Sequence, residues 1–135
     1  MQRLYLDGNQ IKEIKGLKRL KNLQILSLGN NKISDIQGLS DLTNLQVLYL
    51  YHNQITELKG LKTLTKLRSL YLFDNKIKEI NGLEALTNLE ELHLENNQIT
   101  ELKGLVTLTK LRKLWLWGNK ISNKVFRECG RMMKY

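Results

Sequence analysis

The sequence predicts an α/β repeat fold. We expect a right-handed solenoid, with a concave parallel sheet of about six short strands and a convex side of 3₁₀ or irregular turns. Three observations predict it. Asn9, Asn31, Asn53, Asn75, Asn97 and Asn119 fall 22 residues apart without a slip. Leu4, Leu26, Leu48, Leu70, Leu92 and Leu114 keep the same step, as do Gly16, Gly38, Gly60, Gly82 and Gly104. Each unit also holds a leucine–x–leucine pair, whose period of two is that of a strand.

The repeated unit reads L-x-x-L-x-L-x-x-N-x-I-x-x-[IL]-x-G-L-x-x-L-x-x. Six copies place six short strands side by side, about 4.8 Å apart. The asparagine turns the chain after each strand, and its amide suits backbone groups of the loop that lack a partner. The glycine fits a backbone geometry closed to other residues. The G-L-x-x-L-x-x-L segment is too short for a long helix, so each coil returns through 3₁₀ or irregular turns. Leucines and isoleucines from every side then share one continuous core.

The 135 residues make one domain. Residues 1–121 are expected to form the six repeats and residues 122–135 a C-terminal cap. In the cap, Val125, Phe126, Cys129, Met132 and Met133 share one helical face, and Ser122 or Asn123 starts the helix. No polar cap precedes the first coil, so its strand edge is expected to be open to self-association with another copy.

The repeat resembles the leucine-rich repeat of the 22-residue class over about residues 1–121. That class includes bacterial internalins and the leucine-rich-repeat regulatory subunits of type-1 protein phosphatase. The segment Leu-Thr-Asn-Leu-x-x-Leu-x-Leu at 42–50 and 86–94 is similar to both. The glycine before Leu39, Leu61 and Leu83 looks more like the phosphatase regulators. The resemblance implies binding through the concave face.

With the leucines pointing inwards, the residues between them face the concave side. They form four columns. The first is Arg3, Ile25, Val47, Ser69, Glu91, Lys113. The second is Tyr5, Ser27, Tyr49, Tyr71, His93, Trp115. The third is Asp7, Gly29, Tyr51, Phe73, Glu95, Trp117. The fourth, entering the loop, is Gly8, Asn30, His52, Asp74, Asn96, Gly118. Seven of the nine aromatic residues lie in these columns. Strands favour aromatics for packing alone, but large rings gathered on a solvated face mark a binding surface. The expected partner-binding residues are Tyr5, Tyr49, Tyr51, Tyr71, Phe73, Asp74, Glu91, His93, Glu95, Trp115 and Trp117.

Internal copies point to the same face. Residues 55–77 and 99–121 differ at five positions, four of them in the columns: Ser69/Lys113, Tyr71/Trp115, Phe73/Trp117 and Asp74/Gly118. Residues 42–58 and 86–102 also differ at five, again four in the columns: Val47/Glu91, Tyr49/His93, Tyr51/Glu95 and His52/Asn96. Change has concentrated on one surface of a copied frame. Diversification for recognition and deliberate engineering both leave this pattern.

The net charge is +9, which by itself raises nucleic acid or acidic lipid as partners. The columns carry Arg3 and Lys113 against Asp7, Asp74, Glu91 and Glu95, a formal −2, so +11 lies on the return segments and flanks. A nucleic-acid groove interleaves basic residues with its rings; here acids interleave instead. Glu91, His93 and Glu95 alternate along one strand at about 6.5–7 Å, far apart for one metal ion. No phosphate loop, nucleophile motif or zinc-helix motif is present, so neither an enzyme nor a cofactor or metal is expected. No apolar run approaches the ~20 residues of a membrane span. The single cysteine, Cys129, fits a reducing, cytoplasmic location. The reading is a protein-binding module with an aromatic, mildly acidic concave face. Glycan binding, nucleic-acid or acidic-lipid binding, and a self-associating or engineered scaffold are the alternatives.

Overall fold

Six three-residue strands form one parallel sheet in chain order in the computed structural model, which describes residues 1–129, with only the backbone at Glu128 and Cys129. They are β1 (Arg3–Tyr5), β2 (Ile25–Ser27), β3 (Val47–Tyr49), β4 (Ser69–Tyr71), β5 (Glu91–His93) and β6 (Lys113–Trp115). Each strand leucine pairs with the one 22 residues on: Leu4 with Leu26, Leu26 with Leu48, and so on to Leu92 with Leu114. A slip of one residue would turn a whole strand's leucine outwards. The 22-residue step therefore fixes the register and keeps every column in line. Leu26, Leu48, Leu70 and Leu92 are fully buried, as are Ile33, Ile55, Ile77 and Ile99, in a single core running the length of the coil.

The convex side is a succession of three-residue turns. Leu20 N donates to Leu17 O and Leu23 N to Leu20 O, and the same pair of bonds recurs at 42 and 45, 64 and 67, and 86 and 89. A turn that repeats every three residues brings positions i and i+3 to the same side. The L-x-x-L-x-x-L spacing therefore points each leucine into the core. Among the described residues, one such turn closes into a 3₁₀ helix, at Lys103–Leu105.

The asparagine column forms a ladder. Asn53 Nδ2 donates to Leu50 O at 3.1 Å, to Tyr51 O at 3.1 Å and to Leu28 O of the preceding coil at 3.0 Å. Its Oδ1 accepts from Ile33 N at 3.0 Å. Asn31, Asn75 and Asn97 do the same in their own coils. One amide thus serves buried backbone of two coils.

The glycine column has two causes rather than one. Gly38, Gly60 and Gly82 have φ of 102°, 101° and 98°, the region expected for them. Gly104 does not, and the expectation of special backbone geometry is corrected there. A Cβ on Gly104 would sit far inside van der Waals contact with the carbonyl of Ile80, so close approach of two coils requires the glycine.

At the C-terminal end, α1 (Asn123–Cys129) is capped by Ser122, whose Oγ accepts from Val125 N at 3.3 Å. Ser122, not Asn123, fills the capping position. Val125 and Phe126 pack half-buried against the core, and Lys124 is exposed. The contacts expected of the Cys129 side chain, Met132 and Met133 lie outside the described residues. In the first coil Leu4, Leu6 and Ile11 are half-buried, where their counterparts in the middle coils are fully buried.

The concave face as a candidate binding site

In-register strands bring each column to a spacing close to that of stacked rings. The second column exploits it. Tyr49 stacks on Tyr71 at 4.5 Å, Tyr71 on His93 at 4.5 Å, and His93 on Trp115 at 5.9 Å, with planes within 20° of one another. In the third column Tyr51 stacks on Phe73 at 4.9 Å and 5°. Tyr49 and Tyr51 meet edge to face at 6.3 Å, which ties the two stacks together. Tyr49, Tyr51, Tyr71 and Phe73 are half-buried because they cover one another. The rings left open are Tyr5 (59% exposed), Trp115 (47%) and Trp117 (63%).

Three column positions expected to face outwards are buried instead: Ser27, Gly29 and Glu95. The first two are covered by Tyr51. Its ring lies across Gly29, where any Cβ would collide with it, and its hydroxyl donates to Asp7 Oδ1 at 2.9 Å. The same oxygen accepts from Ser27 Oγ at 2.6 Å. Tyr51 is thus a strut over two coils, and Asp7, Ser27 and Gly29 are its seat. Burial first, then the bond to Asp7, pushes the Tyr51 phenol above its ordinary range. Burial and the Glu91 charge do the same to Tyr71.

The fourth column is set by the backbone. Asn30, His52, Asp74 and Asn96 have φ between 50° and 57°, and Gly8 and Gly118 have 70° and 77°. This left-handed region favours Gly, Asn, Asp and His. The His52/Asn96 and Asp74/Gly118 differences therefore need no recognition role. Asp74 Oδ2 also pairs with His52 Nε2 at 3.0 Å.

Glu91, His93 and Glu95 come together more closely than their strand spacing implies. His93 Nδ1 lies 3.0 Å from Glu95 Oε1, and Nε2 lies 2.8 Å from Glu91 Oε1. An imidazole with one proton can donate to only one of them. Among the described residues, no group of three or more His, Cys, Asp or Glu is arranged to hold a metal ion.

One feature of the rim escaped the sequence reading. Arg68 Nη2 donates to Glu90 Oε1 at 2.8 Å and Arg112 Nη2 to Glu90 Oε2 at 2.5 Å, joining three coils just outside the first column. The Arg68 and then the Arg112 hydrogen bonds hold the Glu90 carboxyl below its ordinary range. The 22-residue spacing of these three residues was the available signal. Lys12, Lys15, Lys18, Lys59, Lys62 and Lys103 are exposed, away from the columns. No helix among the described residues is long and apolar enough to cross a membrane.

Stacked strands, an asparagine ladder and a convex row of leucine turns define a leucine-rich repeat solenoid. Residues 1–41, 43–85 and 87–124 match the family of leucine-rich repeats, and the chain belongs to that family. An internalin from Listeria monocytogenes is 33% identical, with a TM-score of 0.89 over 96% of this chain and 38% of its own. A leucine-rich repeat protein from Leptospira interrogans is 32% identical, with a TM-score of 0.89 over 100% of this chain and 37% of its own. Internalin C2 from L. monocytogenes is 31% identical, with a TM-score of 0.75 over 91% of this chain and 64% of its own. The chain thus spans less than half the length of the first two. No curated protein matches. These likenesses bear out the internalin side of the expected resemblance; a likeness to the phosphatase regulators is not shown by them. Family and neighbours support a protein-interaction repeat module in general.

Proposed function

We propose that this chain binds a protein partner through its concave face. Trp115 and Trp117 are the anchors, the floor is the stack of Tyr49, Tyr51, Tyr71 and Phe73, and Glu91, His93, Glu95 and Asp74 set orientation. Tyr5 lies five strand steps from Trp115, about 24 Å, and contacts the far end of an extended partner. The observation that carries this reading is the exposure of the two indoles. Where the middle rings cover one another, these two leave large apolar surface in water, and Trp is among the residue types that anchor interface centres. Residence in a reducing compartment belongs to the same reading and rests on the single cysteine.

Affinity capture with the parent chain and with Trp115→Ala/Trp117→Ala tests it. Proteins held by the parent and lost by the variant are expected, while a convex-side Val106→Asp control keeps them. Equal recovery by both chains would sink the proposal. The flat, open faces of Trp115 and Trp117 also favour a second reading, stacking on sugar rings; binding on a glycan array without protein capture selects it. Nucleic-acid or acidic-lipid binding would instead fall steeply with salt and survive loss of the indoles. Pairing of two copies along the β1 edge would appear as concentration-dependent mass in sedimentation.

A further inference from the structure

The second column runs as unbroken rings from Tyr49 to Trp115, but the third does not. After Tyr51 and Phe73 the next member is Glu95, and Trp117 follows. Asp74 N donates to Glu95 O at 2.9 Å, and Asn96 N donates to Trp117 O at 3.0 Å. Phe73 and Trp117 therefore stand one strand spacing, about 4.8 Å, on either side of Glu95. Glu95 is only 5% exposed. Its Oε1 faces His93, but its Oε2 is buried and meets no hydrogen-bond donor among the described residues. A carboxylate oxygen removed from water without a donor is costly, and such an atom calls for one. Glu91 holds the other nitrogen of the same imidazole. Even a doubly protonated ring thus leaves the pair of acids with a net negative charge. No lysine or arginine among the described residues forms an ion pair with either acid.

We propose that this place takes one arginine side chain of a protein partner. Its guanidinium pairs with Glu95, the Glu91 charge adds to the attraction from the far side of His93, and its flat face lies against Phe73 and Trp117. The two ring-bearing strands are about 9.6 Å apart, a gap suited to a flat cation between aromatic faces. The planar guanidinium also gives up water more readily than a lysine ammonium. Trp117, at 63% exposure, has room to shift as the guanidinium enters beside it. This deepens the concave-face reading and rests on it.

Trp115 and Trp117 are the only two tryptophans of the sequence, so intrinsic fluorescence reports on this place alone. The probe is acetyl-Gly-Arg-Gly-amide, titrated beside its citrulline analogue, which keeps the shape without the charge, and its lysine analogue. A saturable change in emission is expected with the arginine peptide. Binding should be at least tenfold weaker for citrulline, and weaker for lysine. Glu95→Gln should weaken arginine binding at least tenfold, and Glu91→Gln, the second variant should the first fail to unfold cooperatively, at least threefold. No response to the arginine peptide, an equal response to citrulline or lysine, or unchanged affinity in the folded variants overturns the proposal. If that happens while Trp115→Ala/Trp117→Ala still loses its captured protein, the arginine site falls and the concave-face reading stands. If the tryptophan variant keeps its protein, the broader reading falls instead.

Discussion

At Asn75 one side-chain amide serves four backbone groups: Leu50 O, Leu72 O, Phe73 O and Ile55 N. Asn75→Ala leaves buried donors and acceptors unpaired, at a cost of about 2–4 kcal/mol. Urea unfolding should show that loss as a lower midpoint with unchanged slope. Gly29→Ala makes a different test, because its Cβ must displace the Tyr51 ring. We expect about 1–3 kcal/mol of destabilisation and a Tyr51 phenol that titrates closer to its ordinary value, read from phenolate absorbance. If Tyr51 still titrates late in Gly29→Ala, the ring does not depend on that seat. These two residues also mark how far the sequence could be read. The asparagines were legible because every copy repeats them at one spacing. Gly29 was not, because its reason lies in a ring that leans over from the next coil, and no within-chain period encodes that lean. For the same cause Glu95 reads as an outward acid in the alternation, yet it is buried beside His93.

The strands and turns were legible as elements. Period two marked the strands and the shortness of the return segment marked the convex turns, and both follow from backbone geometry. The glycine column shows where that legibility ends, since one letter at one spacing serves two purposes. Gly16 sits at φ 75° with open space where its Cβ would be, so Gly16→Ala costs only the left-handed strain, about 1–2 kcal/mol. Gly104→Ala drives a methyl into the Ile80 carbonyl of the neighbouring coil and must separate the coils. It should cost more than Gly16→Ala, by at least about 1 kcal/mol. Matched thermal unfolding of the two variants checks the order, and the reverse order contradicts it. The fourth column has a backbone requirement that the spacing does not show: its Gly, Asn, Asp and His share tolerance of positive φ, which by itself accounts for the residue types found there.

Over the whole molecule, charge and rings divide the surface. Lysines occupy the return segments, and the concave face holds acids among aromatics. The fold prefers the neutral phenols of Tyr51 and Tyr71, whose titration is raised above 10.0. Their contribution to stability is complete below the ordinary tyrosine range and is lost as pH rises through the raised values. Unfolding followed across pH about 9 to 12 should show this alkaline loss, and Tyr51→Phe/Tyr71→Phe should flatten it; an unchanged pH profile in that variant would contradict the assignment. The columns were legible in the sequence, but their division into covered and open rings was not. That division depends on which rings cover one another, and it leaves Trp115 and Trp117 as the open pair at one end. The most direct measurement is therefore the Kd of one captured protein partner for the parent chain, for Trp115→Ala/Trp117→Ala and for Val106→Asp, by calorimetry. Loss of two interface anchors predicts weakening of about thirtyfold or more for the tryptophan variant, with Val106→Asp unchanged. An unchanged Kd for the tryptophan variant, or a loss confined to Val106→Asp, would place the binding surface elsewhere.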